Sequence, residues 1–424
     1  MMKMIIAAII NAIIGTTILI ISVISISDPI MPITVGNAVA QLFKYKSTQA
    51  WFQKFAITVQ HASLLMNENN GNEIINYYVD ETSSISKLCG TDSRYPCRQI
   101  DDVFKFLVTN DQYIIHVSEG QYDHDLFIYN YFKDFVYPTV DIVAEGNALI
   151  NIIGPIQSIG EIILSFSKFN IDFGDLFFQI DDSDSSLKLA NCIIFRNSGN
   201  KAINTQQLAV VNHGSLILEN LIINGNNLQG NQPLIQAASP KLILFTTLNI
   251  INISLVSGNT SPLLLSANEL EQESNIMIYD VHVKQNTAGT QAQAGIIFVH
   301  IKDQAINSKN NEDPSIEPIL VIENLEIVLN SLAPISEACS IQLEGLKPLQ
   351  IIIRSSTINN RSPPNNNKQY EFKIILPQYS YQQDLITQFS QVDFGATFDP
   401  IAVKVLPNDQ FQKLAILTEQ YANI

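Results

Sequence analysis

The chain has 424 residues and a formal net charge of −16, with 46% hydrophobic and only 15% charged residues. An acidic chain of this kind argues against nucleic acid or an anionic membrane surface as a partner. The low share of charged residues suits long buried strands. The length alone predicts two or three domains, but a chain built from repeats can form a single long domain of this size.

The N-terminus predicts export. No charged residue occurs between Met4 and Ser27, one Lys precedes this run, and Asp28-Pro29 ends it. Residues 1–27 are interpreted as a signal peptide cleaved after small residues such as Ser25 and Ser27, or as a signal anchor whose residues 4–27 cross the membrane once; the remaining alternative is a buried core helix. The first two alternatives predict a secreted or cell-surface protein.

Residues 28–88 show no repeat and are interpreted as an N-terminal lead-in or cap. The cysteines at the start of the next segment, Cys89 and Cys97, are eight residues apart. In an exported chain this spacing can close a small disulfide loop, and the alternative is two free buried thiols. Cys192 and Cys339 have no such spacing, and four cysteines without a nearby His pair do not predict a zinc or other metal site.

A short helix and a set of strands follow. "RQIDDVFKFL" (98–107) has apolar residues at Ile100, Val103, Phe104 and Leu107, which form one face of an amphipathic helix. "YIIHVSEGQYDHDLFI" (113–128) then has the pattern of a strand, a glycine turn and a second strand.

The most informative feature is an eleven-residue pattern that recurs along the chain. Its six copies are "LKLANCIIFRN" (187–197), "LILENLIINGN" (216–226), "LILFTTLNIIN" (242–252), "IMIYDVHVKQN" (276–286), "LVIENLEIVLN" (320–330) and "QIIIRSSTINN" (350–360). Each copy ends in Asn, and its third position is always Leu or Ile: Leu189, Leu218, Leu244, Ile278, Ile322 and Ile352. Shorter apolar runs such as "PLIQA" (233–237) and "GIIFV" (295–299) follow most copies.

A unit of this size cannot bury its apolar face alone, so neighbouring units are expected to stack and to pair equivalent strands. The pattern predicts a solenoid of parallel strands from about residue 100 to 376, with the third-position residues as an internal column. Asn at the end of each copy is expected at turns, where its side chains can form hydrogen-bonded ladders. The alternative is a β-sandwich, which gives no reason for the recurring Asn.

Residues 89–146 resemble the opening of right-handed parallel β-helix proteins of the pectin lyase-like superfamily. The matching positions are Ile115, Val117, Gly120, Tyr122, Ile128, Ile142 and Gly146. The resemblance covers residues 89–376 and implies an all-β, right-handed parallel β-helix with a short N-terminal capping helix. Residues 377–424 are then a C-terminal cap or tail. The lead-in "CGTDSRYPCRQI" (89–100) is further similar to exported β-helix proteins of unicellular eukaryotes.

Three residues form the candidate catalytic site of this sequence. Enzymes of the polygalacturonase type in this superfamily use paired Asp residues with a nearby His, and Asp181, Asp182 and His213 are the nearest fragments here. Two carboxyl groups could act in glycoside hydrolysis if they lay across the bond. The alternative is that "DDSDSS" (181–186) is a solvated acidic turn, and the accompanying Asn-Thr-Asp and Arg-Ile-Lys motifs are missing from the sequence.

The sequence therefore favours a non-catalytic, exported or surface-anchored protein with a structural or adhesive role, and a polysaccharide or another cell-surface molecule as its ligand. The alternative function is a carbohydrate-active enzyme of the β-helix class, either a hydrolase or a lyase. No cofactor motif is found. Three N-glycosylation sequons begin at Asn252, Asn259 and Asn360, and they matter only in a host that glycosylates.

Overall fold

The computed structural model describes residues 74–406 apart from residues 86–88, 105–106, 108–111, 125–137, 153–155, 159–161, 174–177, 197–206, 272–273, 302–318, 336–337, 347–349, 361–369, 377–388, 391 and 393–402. The described residues all belong to one compact unit, Glu73–Ile424. The predicted export segment (residues 4–27), Ile128 and Asn197 lie outside the described residues.

The described part of the chain is almost entirely strand. Its single helix is α1 (Ile100–Phe104), and the strands up to the second repeat copy are β1 (Ile74–Val79), β2 (Gln112–Val117), β3 (Gln121–His124), β4 (Thr139–Ala144), β5 (Leu149–Ile152), β6 (Ile156–Ser158), β7 (Ile163–Ser167), β8 (Asn170–Phe173), β9 (Phe178–Ile180), β10 (Ser186–Ala190), β11 (Ile193–Phe195), β12 (Ala209–Val211) and β13 (Ser215–Asn224).

The remaining strands are β14 (Gln229–Gly230), β15 (Ile235–Ala237), β16 (Leu242–Ile251), β17 (Ser254–Leu255), β18 (Leu265–Leu270), β19 (Asn275–Lys284), β20 (Ala294–Ile301), β21 (Leu320–Val328), β22 (Cys339–Glu344), β23 (Ile351–Arg354), β24 (Thr357–Asn359), β25 (Tyr370–Ile375), β26 (Phe389–Ser390) and β27 (Val403–Leu406).

These strands form two large parallel sheets. Sheet A is strongly curled and runs in the order β1-β2-β4-β7-β10-β13-β16-β19-β21-β23-β26, with β3, β5, β8, β11 and β24 as a continuation beside it. Sheet B runs β6-β9-β12-β15-β18-β20-β22-β25-β27, and β14 pairs with β17 in a third, small sheet. From β6 onward the chain alternates between sheets A and B, as in a parallel β-helix-like solenoid. All described strand pairs are parallel, which excludes the antiparallel β-sandwich.

The core lies between the sheets and consists of columns of equivalent residues from successive turns of the chain. In sheet A the column pairs Leu189 with Leu218, Leu218 with Phe245, Phe245 with Ile278, and Ile278 with Ile322. All five side chains are buried. Sheet B supplies the opposite wall with Phe178, Ala209, Ile235, Leu265, Ile297, Ile341 and Phe372.

The predicted column is wrong at two positions. The structure places Phe245 in the column instead of Leu244, and Ile353 instead of Ile352, because the third and sixth copies are shifted by one residue relative to the sequence alignment. A shift of one residue moves a side chain to the opposite face of a strand. Phe245 and Ile353 are fully buried, whereas Ile352 lies on the outer face and is partly exposed.

A bend divides each long repeat strand, and it has a backbone signature. The residue at the bend has a positive φ in every copy: Asn191, Asn220, Thr247, Asp280, Asn324 and Ser355. Asn and Asp tolerate this left-handed conformation best, which explains the polar residue near the middle of each copy. Neighbouring bends bond to each other where the side chains allow, since Asn220 Nδ2 donates to Asn191 Oδ1 at 2.7 Å and Asn324 Nδ2 to Asp280 Oδ1 at 2.7 Å.

The predicted Asn ladder is confirmed in the last three copies. Asn286 Nδ2 donates to Asn330 Oδ1 and Asn330 Nδ2 to Asn360 Oδ1, both at 2.9 Å, and Asn360 N–H donates to Glu371 Oε1 at 2.9 Å. All four residues are buried. These amides satisfy polar groups that a corner between two sheets would otherwise bury without partners.

Two earlier repeat asparagines lie outside this ladder. Ile253 takes the ladder position in the third copy, and its N–H donates to Asn286 Oδ1 at 2.8 Å. Asn252 is therefore one residue early and has φ 56°. Asn226 is exposed and donates to the Arg196 carbonyl oxygen.

The amphipathic helix predicted from residues 98–107 corresponds to α1. Ile100, Val103, Phe104 and the nearby Leu107 are all buried. The sheets extend past both ends of the segment 89–376: β1 pairs with β2 at the start, and β26 and β27 pair with β23 and β25 at the end.

Candidate functional site

The outer surface of sheet B carries polar and aromatic side chains in register. Inward and outward residues alternate along a strand, so the residue between two core positions points outward. This row, named here the sheet B face, consists of Gln179, Val210, Gln236, Ser266, Phe298, Gln342 and Lys373. Its last two members, Gln342 and Lys373, are buried although they do not face the core. Since neighbouring strands in a sheet lie about 4.8 Å apart, the row forms a regular array.

A depression of about 470 Å³ lies on the sheet B face around the half-buried Phe298 ring. It is lined by Thr260, Ser261, Pro262, Ser266, Gln291, Gln293, Ala294, Phe298, Gln342 and Glu344. The lining combines one aromatic ring with amides, hydroxyls and a single carboxylate. Amides both donate and accept hydrogen bonds, so this set can match the hydroxyl groups of a neutral ligand.

Several polar groups of this surface bond to one another across neighbouring strands. Gln207 Nε2 donates to Gln236 Oε1 at 3.0 Å, which holds an amide in the row. His300 lies 2.9 Å (Nδ1) from Asn268 Oδ1, and its ring stacks beside Phe298 with centroids 6.4 Å apart. These contacts restrict the rotamers of the outward side chains and so preorganise the surface for binding.

The sequence-predicted residues Asp181, Asp182 and His213 lie in two adjacent turns that follow β9 and β12. Asp181 is exposed, and its Oδ1 accepts a hydrogen bond from Asn212 Nδ2 at 2.7 Å. Asp182 Oδ1 accepts from the Asp184 N–H at 2.9 Å, which is an Asx-turn contact. His213 is exposed, and its N–H donates to the Ile180 carbonyl oxygen at 3.2 Å.

These two turns fit together through Gly214. Its φ is +72°, and a Cβ there would lie 2.4 Å from the carbonyl oxygens of both Asp182 and Ser185. Only glycine allows so close an approach of the two backbones. The Asp-Asp and Asn-His-Gly fragments therefore have a structural reason to occur together, namely the packing of one turn on the next.

A second group of charged residues lies on the outer face of sheet A and was not identified from the sequence. Glu326 Oε2 is 2.6 Å from both His282 Nδ1 and Lys284 Nζ. His282 Nε2 is 3.9 Å from Asp280 Oδ1. These four residues, named here the charged cluster, bring two carboxylates, an imidazole and an ammonium group together on β19 and β21.

The charged cluster is internally paired. The hydrogen bond from Lys284 lowers the pKa of Glu326 below its usual value, and His282 adds to the effect although burial opposes it. Glu326 is therefore held as a carboxylate. A general acid requires a pKa raised toward the working pH, so Glu326 is poorly suited to donate a proton.

The structure joins Cys89 and Cys97 as a disulfide, with the sulfur atoms 2.15 Å apart. Cys192 and Cys339 are buried free thiols. Burial raises the pKa of Cys192 to about 11 and that of Cys339 to about 12. Both are thus thiols rather than reactive thiolates at neutral pH.

The three sequon asparagines differ in environment. Asn360 is buried and its Nδ2 donates to Ser340 Oγ at 2.9 Å. Asn259 is partly exposed, and its Nδ2 donates to the Asn231 carbonyl oxygen at 2.7 Å. Asn252 is also partly exposed and donates to Asn224 Oδ1 at 3.2 Å. The side-chain amide of Asn360 is the least accessible of the three.

Within the described ranges, no group of three or more His, Cys, Asp or Glu side chains is arranged to hold a metal ion. In the same part of the chain, no helix has the length and apolar character needed to cross a membrane. Comparison with protein-family models, with curated proteins and with solved structures finds no significant match to this chain.

Phe298 and Gln342 were missed at the sequence level although a signal was present. Each short run of sheet B contains one residue that interrupts or stands out from the aliphatic series: Gln236 in "PLIQA", Phe298 in "GIIFV" and Gln342 in "SIQL". Aligning these runs by that residue would have predicted one outward row. The charged cluster gave no such signal, because Glu326 is 44 residues from its partner His282.

Proposed function

We propose that the chain is a right-handed parallel β-helix of the pectin lyase-like type, and that it acts as a non-catalytic, exported structural or adhesive protein. On this proposal α1 caps the first turn of the solenoid. The parallel strand pairing, the alternation of sheets A and B and the buried Asn ladder all support the fold assignment.

We further propose that the sheet B face binds a neutral polysaccharide or cell-surface glycan. The observation that carries this is the in-register row around Phe298, where an aromatic ring lies among amides and hydroxyls. The face of a sugar ring is apolar and packs on aromatic side chains, while its equatorial hydroxyls need donors and acceptors at the side. The near absence of charge in the depression favours a neutral chain over an acidic one.

The positions and contacts of the carboxylate side chains favour binding without cleavage. Asp181 and Asp182 are engaged in turn contacts, and the depression around Phe298 contains one carboxylate, Glu344. Hydrolysis of a glycosidic bond by the usual routes requires two carboxyl groups on opposite sides of the bond.

The second candidate function is a carbohydrate-active enzyme, and the charged cluster is the observation that favours it. Convergence of Asp280, His282, Lys284 and Glu326 on one outer sheet face is the kind of arrangement that acid–base chemistry uses. On this alternative, His282 would transfer the proton and Glu326 would orient the His282 ring.

One experiment separates the two functions. The purified full-length chain is incubated with a panel of neutral and acidic polysaccharides, and both binding and release of reducing or unsaturated ends are measured. We expect binding to a neutral polysaccharide and no cleavage, and we expect Asp181→Ala/Asp182→Ala/His213→Ala to bind like the unmodified chain. Cleavage that is lost in this variant, or in His282→Ala, would establish the enzyme instead.

Export is a separate part of the proposal. The uncharged run at residues 4–27 and the Cys89–Cys97 disulfide suit passage through an oxidising compartment. The native host's cells should carry the chain at their surface or release it. If it stays inside the cell with Cys89 and Cys97 as free thiols, this part of the proposal is wrong.

A further inference from the structure

Four polar side chains are buried next to one another on the side of sheet B that faces away from the core. β22 supplies Ser340 and Gln342, and the neighbouring β25 supplies Glu371 and Lys373. Gln342 and Lys373 are direct partners in the parallel register of these two strands. Ser340 and Glu371 are 0% exposed, Gln342 is 5% exposed and Lys373 is 7% exposed. Charged and polar side chains are rarely shielded from water to this degree, so each needs a structural or chemical reason.

The Asn ladder gives that reason for two of the four. Ser340 Oγ donates to Glu371 Oε2, and Asn360 N–H donates to Glu371 Oε1 at 2.9 Å. Asn360 Nδ2 also donates to Ser340 Oγ at 2.9 Å. Ser340 and Glu371 therefore close the end of the ladder. Gln342 and Lys373 are not members of the ladder, and their burial has to be explained in another way.

The Gln342 amide is fixed beside the lysine. Gln342 Nε2 donates to Glu344 Oε1, two residues further along β22, and Cys339 Sγ donates to Gln342 Oε1 at 3.9 Å. Neighbouring strands of a sheet lie about 4.8 Å apart, so direct partners on the same face have adjacent side chains. The flexible four-carbon chain of Lys373 can therefore bring its amine to the amide carbon of Gln342.

We propose that Lys373 Nζ and Gln342 Cδ form an intramolecular amide bond, which cross-links β22 to β25. Gln342 is a better acyl partner for an amine than Glu344 or Glu371, because a carboxylate must be activated before its oxygen is displaced. Holding the two groups side by side turns a very slow reaction between separate side chains into an intramolecular one, and the exclusion of water prevents competing hydrolysis. The cross-link is independent of any ligand on the sheet B face.

The reaction releases one ammonia molecule and involves no oxidation or reduction. Glu371 takes a proton from the Lys373 ammonium group, and the neutral amine attacks Gln342 Cδ. The attacking nitrogen then gives a proton to Glu344, which passes it to Gln342 Nε2 as the Cδ–Nε2 bond breaks. The new Nζ–Cδ bond remains. Ammonia leaves with the proton that Glu371 had taken, so both carboxylates return to their starting state and no co-reactant is needed.

The bond would join two successive turns of the solenoid. β22 and β25 are neighbours in sheet B, and the two linked residues enclose the chain between positions 342 and 373 in a covalent loop. Closing a loop of this kind restricts the unfolded chain and opposes separation of the two turns.

Peptide mapping of the purified full-length chain by tandem mass spectrometry tests the proposal. We expect the peptides that contain Gln342 and Lys373 to be recovered as one branched species, lighter by one ammonia than the two peptides together. Lys373→Arg should release them separately, because a guanidinium group does not act as this nucleophile. Lys241→Arg, the same change at an exposed lysine, should leave the cross-link intact. Glu344→Gln should slow its formation at least tenfold after refolding.

Three results would overturn the proposal. The first is recovery of both peptides from the folded, unmodified chain as separate species of full mass. The second is a cross-link that forms with loss of water, at Glu344 or Glu371, because Gln342 would then not be the acyl partner. The third is unchanged cross-linking in Glu344→Gln, which would contradict the proton transfer. Circular dichroism of each variant shows that a missing cross-link does not come from a missing fold.

Discussion

Replacement of Asn330 by alanine tests the internal ladder at its centre. Asn330 Nδ2 donates to Asn360 Oδ1 at 2.9 Å and to the Val283 carbonyl oxygen at 2.8 Å, while its Oδ1 accepts from the Asn286 N–H at 3.0 Å. Alanine removes these three bonds, the bond from Asn286 Nδ2 to Asn330 Oδ1 at 2.9 Å and the bond from Asn330 Nδ2 to the Val328 carbonyl oxygen at 3.1 Å. Of the partners, Asn360 Oδ1 still accepts from the Asn330 N–H at 3.0 Å. The exposed Asn249 is the matched control, because it has the same side chain on the outer face of sheet A.

The expected loss in the free energy of unfolding follows from the polar groups that lose their hydrogen-bond partner. Each buried polar group without a hydrogen bond costs about 1–3 kcal/mol, and part of this is recovered by relaxation or by a water molecule. We therefore expect Asn330→Ala to lower the free energy of unfolding by about 3–5 kcal/mol, and Asn249→Ala by less than about 0.5 kcal/mol.

Urea unfolding followed by far-ultraviolet circular dichroism measures this difference. Hydrogen exchange shows which strands lose stability, because stacked repeats can unfold locally. Exchange should accelerate in the strands around the ladder, β19, β21 and β24, before it does in β2 and β4. Equal unfolding midpoints for the Asn330 and Asn249 variants would refute the ladder's role.

Three further predictions follow from the packing and the titrating groups. Ile353→Ala should cost about 2–5 kcal/mol of stability and Ile352→Ala less than about 1 kcal/mol. Equal losses in thermal unfolding would contradict the register in which Ile353, not Ile352, faces the core. Cys192 and Cys339 should react with a thiol reagent near pH 7 only after unfolding, because their pKa values are raised to about 11 and about 12; rapid reaction of the folded chain would contradict their burial. The lowered pKa of Glu326 means that its contribution to stability is present above the usual carboxyl value of 4.5 and is lost as the pH falls through the folded-state pKa. The difference between the melting temperatures of the unmodified chain and Glu326→Gln should therefore shrink as the pH falls below 4.5, and a constant difference would show that Glu326 does not titrate in this way.

The class of fold could be predicted because each repeat copy shows the apolar positions that stack on the next copy. Asn220, Asp280 and Asn324 mark the left-handed bend in their copies, and the alternation around them places the core residues correctly. The third copy has a Thr-Thr pair in which Thr247, not Thr246, forms the bend. The residues before this pair, Leu242 to Phe245, are a continuous apolar run, so alternation could not reveal the one-residue shift.

The outer surface was harder to predict for a related reason. Strands of parallel sheets read as near-continuous apolar runs, so inward and outward residues look alike, as with Val210 beside Val211 in β12. The charged cluster depends on which turns of the chain become neighbours. That is set by loops of variable length, since repeat starts are 26 to 44 residues apart.

The central functional claim is that the sheet B face binds a neutral polysaccharide through Phe298. The most direct measurement is the affinity of the full-length chain for the best-bound neutral polysaccharide of the panel, compared among the unmodified chain, Phe298→Ala and Asn249→Ala. Loss of the ring should weaken binding by about tenfold, equivalent to about 1.4 kcal/mol, while the Asn249 variant binds like the unmodified chain. Equal affinities for all three proteins, or no binding to any neutral polysaccharide, would contradict the claim.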